Sequence, residues 1–236
     1  MGSSREDQQW LAWARHFDAA ENEVFGLFYT RSMWRALSHV LATSEITQYA
    51  VVRNYYLRTY VSTACSAIRR EAETDTRTSS LARALLRLAE TPKLLSRDRF
   101  VSSYVGRFGA DSETMANNSF NSFAPSGGDA VETSVLLLGL ARLTDAAASV
   151  KRYTDTTIAH RQRPELEKEA ISLSFAQMDH AINELGEITK QLHVLRHPGE
   201  LLAQVGPVLD PTFLNMFKAA WLAPGFTLPA EHDLGG

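Results

Sequence analysis

Apolar residues recur at steps of three and four along most of this chain, and no strand-like alternation runs longer than a few residues. Such a period gives helices that each bury one stripe, so the fold expected is all-α, an up-and-down helical bundle with short accessory helices. Residues 5–16 read as a short helix with Trp10, Leu11, Trp13 and then Phe17 on neighbouring faces, capped by Ser3 or Ser4. Asn22 to Ala42 reads as the next, its wide stripe running from Val24 through Phe28 and Trp34 to Val40. A third is expected from Ile46 to about Glu73, where Tyr49, Val52, Tyr56, Tyr60, Ala64 and Ile68 share a face.

The punctuation further along is polar. Ser79 or Ser80 opens a helix that ends near Glu90 before Pro92, and Ser96 opens a shorter one through Tyr104, with Asp98 at the positive end of its dipole. From 106 to 129 the pattern dissolves into Gly, Ser and Asn, which reads as a flexible surface insertion ahead of a loop gating a groove. Val131 to about His160 is the longest expected helix, and Pro164 then marks a break or a new first turn. Ser174 and Gln177 stand at capping-box spacing before a helix to about Leu195, which His197-Pro198-Gly199 stops. Asp210-Pro211 looks like the start of a short helix carrying Phe213, Met216, Phe217 and Trp221. One domain over 1–223 and a loose tail over 224–236 follow from this order.

With 236 residues, 44% of them hydrophobic, the chain can bury a sizeable core. No apolar run reaches the roughly 20 residues of a membrane helix, and the first residues lack the order of a signal peptide, so a cytoplasmic protein without a membrane span is expected. The lone Cys65 reads as a small buried hydrophobe. A net charge of −3 confines any nucleic-acid contact to local basic groups such as Arg69-Arg70 and Arg161 with Arg163. There is no Walker-type loop, dinucleotide fingerprint, nucleophile elbow or cysteine-pair zinc pattern. The histidines other than that at 160, including His16, His39, His180, His193 and His197, show no metal-ligand spacing with carboxylates beyond chance, and no metal or cofactor is expected.

The tract Tyr153-Thr154-Asp155-Thr156-Thr157-Ile158-Ala159-His160-Arg161 places an imidazole, titrating near neutrality, beside a fixed guanidinium at the end of the longest helix. Such a pair can move a proton at a phosphodiester while the cation holds the phosphate, which is the chemistry of metal-free RNA cleavage. The alternative role of His160 is to cap carbonyls at the negative end of the helix dipole. Arg69-Arg70 likewise has two readings: an ion-pair network with Asp75 that fastens the third helix to the next, or a phosphate-facing basic pair.

Two stretches carry a family resemblance: Tyr60 to Arg99, with Ala67-Ile68-Arg69-Arg70, Asp75, Ser79-Ser80-Leu81-Ala82-Arg83-Ala84-Leu85-Leu86 and Leu95-Ser96-Arg97, and Val150 to Arg163. Phe217 to Trp221 adds a weaker echo. The chain resembles the abortive-infection, AbiU-like branch of the HEPN superfamily and related bacterial proteins. That resemblance implies a helical bundle, often a homodimer with one composite site, and in many members a metal-independent ribonuclease motif of an Arg, four to six residues and a His. It makes His160 the motif histidine and Asp155 the polar residue after the motif arginine, with Arg152, Arg161 and Arg163 as nearby cations and RNA, a partner protein or an antitoxin as binding partners. Thr154 stands where the arginine belongs. A hydroxyl supplies one donor where arginine supplies a charged planar fork. Arg152 lies eight residues before His160, about 12 Å and about 80° away on an ideal helix. Weak or absent cleavage is therefore expected, with a non-catalytic dimerisation or interaction module as the alternative.

Overall fold

The computed structural model describes residues 5–43, 49–158 and 172–200. These form seven α-helices: α1 Arg5–Thr43, α2 Tyr49–Glu71, α3 Leu81–Glu90, α4 Arg97–Phe108, α5 Glu113–Asn121, α6 Thr133–Tyr153 and α7 Phe175–Arg196. The sole extended pairing among the described residues is an isolated bridge between Ser96 and Ala130. The fold is all-α, as the periodicity requires.

The first two expected helices are one. α1 runs 39 residues, about 58 Å at 1.5 Å per residue. Its buried side continues without a gap through Trp13, Phe17, Ala20, Glu21, Val24, Leu27, Phe28 and Arg31. Residues 17–21 looked like a boundary because two of the side chains there, Asp18 and Glu21, are charged and find partners on α7. Arg31 hydrogen-bonds Asn183 at 2.8 Å, Glu21 meets His193 at 2.7 Å and Asp18 meets Arg196 at 3.1 Å, so α1 and α7 are antiparallel. α6 also runs antiparallel to α7, with Arg142 on Glu184 and Gln177 on Ser149. α3 lies along α6, where Gly139 lets the Leu85 methyls approach to 3.6 Å of where a Cβ would stand. The core between them includes Trp13, Leu81, Leu85, Leu88, Leu143, Ile182 and Leu185.

The caps fall where the hydroxyls predicted them. Ser80 accepts from Arg83 N–H, Ser96 from Arg99 N–H, and Ser174 with Gln177 forms a complete capping box. His197 closes α7, and Gly199 takes φ +76 just beyond it. The 106–129 stretch corrects the sequence reading: it carries the end of α4, a 3-10 turn Ala110–Ser112, and α5. Phe120 and Ala124 are fully buried, and Arg97 lies over the Phe120 ring at 4.8 Å while donating to the Gly128 carbonyl. Only Ala116 and Phe120 of α5 are buried, so nine residues gave no readable period.

By length and composition the stretch Thr133–Thr157 is the one described helix apolar enough to cross a membrane, a test that core helices also pass. Its Leu136, Leu143, Ala147 and Val150 pack into the core described above. Leu137 and Leu138 are exposed.

Candidate functional site

The polar tract begins where α6 widens into a π-helical turn, Thr154–Ile158. Two threonine hydroxyls bond backward into the helix: Thr154 Oγ1 donates to the Val150 carbonyl at 2.8 Å, and Thr156 Oγ1 donates to that of Arg152 at 2.7 Å. Thr154, which the resemblance sets where an arginine is expected, is only 5% exposed. Its side chain lies beside Cys65 of α2, and the hydroxyl lowers the pKa of that thiol less than burial raises it, to about 12. That pKa leaves Cys65 an inert packing residue at neutral pH.

Asp155 lies at the surface and accepts from Arg69 Nε at 2.6 Å, while Arg69 also reaches Glu73 at 3.0 Å. Arg70 pairs with Glu23 of α1. The basic pair is thus held by carboxylates, but not by the expected one: Asp75 is clasped by Arg77 at 2.7 Å, two residues on. Neither arginine is deeply buried, so these are fastenings of modest strength between α2, α1 and the π turn. The fork of Arg69, proposed from sequence as phosphate-binding, is turned onto Asp155 and Glu73. Arg152 is exposed on the last turn of α6. His160, Arg161, Arg163 and Pro164 lie outside the described residues, as do the expected helix after Asp210 and the 224–236 tail.

Beside the tract is a cleft of about 440 Å³ between α2, the π turn and the start of α7, lined by Leu57, Arg58, Val61, Tyr153, Leu173 and Phe175 among others. Its walls are mainly apolar. Arg58 brings a cation to it with no ion-pair partner among the described residues. Sequence reasoning missed this cleft because its residues come from elements far apart in the chain, and short-range pairs such as Leu57 with Val61 and Phe175 with Met178 do not reveal that those elements meet. Chemically, the cleft offers hydroxyls, one cation and an apolar wall.

Comparison with family models, curated proteins and solved structures yields no match to this chain.

Proposed function

We propose that this chain is a HEPN-like helical protein of the defence or toxin–antitoxin type, with a degenerate metal-independent ribonuclease site that is weak or inactive. The observation that supports the loss is the burial of Thr154: the position of the motif arginine faces Cys65 inside the bundle, where no phosphate reaches. In an active site of this kind His160 would serve as general base or acid for attack of a ribose 2′-hydroxyl, with Arg152, Arg161 and Arg163 supplying charge. Removing one positioned electrostatic donor costs about a hundredfold to a thousandfold in rate.

The test is incubation of the purified chain with single-stranded RNA in excess chelator. Slow or undetectable cleavage, unchanged in His160→Ala, is the expected outcome. Robust cleavage that survives chelation and vanishes in His160→Ala refutes it.

A second reading is a non-catalytic module that forms a homodimer or takes a partner protein such as an antitoxin. Its support is exposed apolar surface: Val51 and Tyr55 at the start of α2 and Phe175 at the rim of the cleft. Light scattering at micromolar concentration separates the two readings when combined with the RNA assay. A dimer that neither cleaves nor retains RNA favours the module.

A further inference from the structure

The cleft beside the polar tract is built from residues that the ribonuclease reading leaves unused. Its floor belongs to the core: Met178 is 2% exposed, and Val61, Tyr153 and Leu173 are partly buried against the same cluster. Phe175 forms the rim, 46% exposed. Its ring lies nearly parallel to those of Tyr60 and Trp34, at 13° and 9°, with both centroids 6.3 Å away. Stacking against two rings holds Phe175 in place, so the apolar wall is formed before anything binds.

Charge on these walls has one sign. Among the described lining residues Arg58 alone is charged. Elsewhere guanidinium groups are met by carboxylates: Arg31 and Arg35 share Asp179, Arg142 takes Glu184 and Arg196 takes Asp18. Asp155, in the same π turn as the lining residue Thr157, is held by Arg69. No carboxylate among the described residues pairs with Arg58, so its fork stands exposed beside the cleft with its donors unspent. Ser62 and Thr157 add exposed hydroxyls to the lining. One cation and two hydroxyls answer a single anionic head, whereas a polyphosphate brings more charge than they match. Apolar walls do nothing for a small hydrated ion and favour a ligand with an apolar body.

We propose that this cleft binds an apolar monocarboxylate, of which a medium-chain fatty acid is the simplest member, with the carboxylate on Arg58 and the hydrocarbon body against Val61, Met178 and Phe175. A volume of about 440 Å³ lies in the range of small-molecule sites. Arginine offers a carboxylate two parallel N–H donors, and an apolar wall beside the pair makes their attraction stronger than on an open surface. The site goes beyond the ribonuclease reading and does not depend on it: neither His160 nor any of the cations assigned to cleavage lines the cleft among the described residues.

The test is calorimetric titration of the full chain with octanoate, set beside octanol, which has the chain without the charge, and acetate, which has the charge without the chain. One octanoate per chain is expected, with a Kd below about 1 mM. Octanol should bind at least about tenfold more weakly and acetate not measurably. Arg58→Gln is expected to lose at least about tenfold in octanoate affinity and to bind octanol as the wild type does. Phe175→Ser should weaken both ligands, and melting curves check that each variant folds. Arg53→Gln, an exposed arginine of α2 outside the described lining, leaves affinity unchanged. Absence of saturable binding below about 1 mM overturns the proposal. So do several octanoates per chain, octanol binding as tightly as octanoate, or unchanged affinity in Arg58→Gln.

Discussion

Replacing Glu71 with Gln is expected to stabilise the fold at alkaline pH and to do much less in acid. Glu71 ends α2 and is 1% exposed; its Oε2 accepts the Leu81 N–H at 2.8 Å where α3 starts, and Oε1 is buried with no hydrogen-bond partner among the described residues. Burial pushes its pKa from the ordinary 4.5 up to about 8, with Glu23 adding to the rise and the Leu81 hydrogen bond and Arg70 opposing it. An acid whose pKa is higher folded than unfolded binds its proton more tightly in the native state. Its favourable contribution is complete below the unfolded pKa and lost as pH climbs through the folded one. With 4.5 and about 8 as the two values, the loss is about 1.4 kcal/mol at pH 5.5 and about 4.6 kcal/mol at pH 8.5, a change of about 3 kcal/mol. Gln does not titrate. Its amide oxygen keeps the Leu81 bond. Urea unfolding of both proteins in parallel at these two pH values isolates Glu71 from every other titrating group. The stability difference should move by about 3 kcal/mol in favour of the variant as pH rises. Differences that stay constant with pH, or move toward the wild type, refute the reasoning.

Trp13 is fully buried and donates its indole N–H to the Ala84 carbonyl at 3.0 Å, so Trp13→Phe is expected to cost about 2–3 kcal/mol in chemical denaturation. Ser174→Ala breaks the capping box of α7 and should lower stability by about 1 kcal/mol in the same assay. A double-mutant cycle with Arg69→Gln and Asp155→Asn should give a coupling of no more than about 1 kcal/mol, since both side chains are 39% exposed. Thr154→Arg forces a guanidinium into a buried position and should destabilise by about 3 kcal/mol or more without conferring RNA cleavage, read by thermal melting and the chelator assay.

What the sequence disclosed about the fold were features that act within a few residues. The three-and-four step gave helices, and hydroxyls at 80, 96 and 174 gave their starts, because a cap is satisfied by its own next turn. The continuity of α1 stayed hidden because Asp18 and Glu21 are acceptable on an inward side only when Arg196 and His193 meet them. The partner of Arg69 was equally out of reach: Asp75 is six residues away and Asp155 eighty-six, and chain distance gives no means of choosing. The tract at the end of α6 was legible as polar and as a helix end. Its π turn was not, since a change from i→i+4 to i→i+5 bonding has no residue code.

That turn bears directly on the proposed loss of activity. The sequence Thr154-Asp155-Thr156-Thr157 supplies hydroxyls that bond carbonyls four residues back, competing with the backbone donors that would otherwise keep an α-helical ladder. A wide turn changes the direction in which every later side chain leaves the helix, so the ideal-helix angle between Arg152 and the residues after the turn no longer applies. Within the turn, Thr154 goes inward to Cys65 and Asp155 goes outward to Arg69. An arginine placed at 154 would therefore meet the core rather than a phosphate. The proposed loss therefore rests on the place of residue 154 as well as on the missing guanidinium: that position is buried, and its hydroxyl is spent on the Val150 carbonyl.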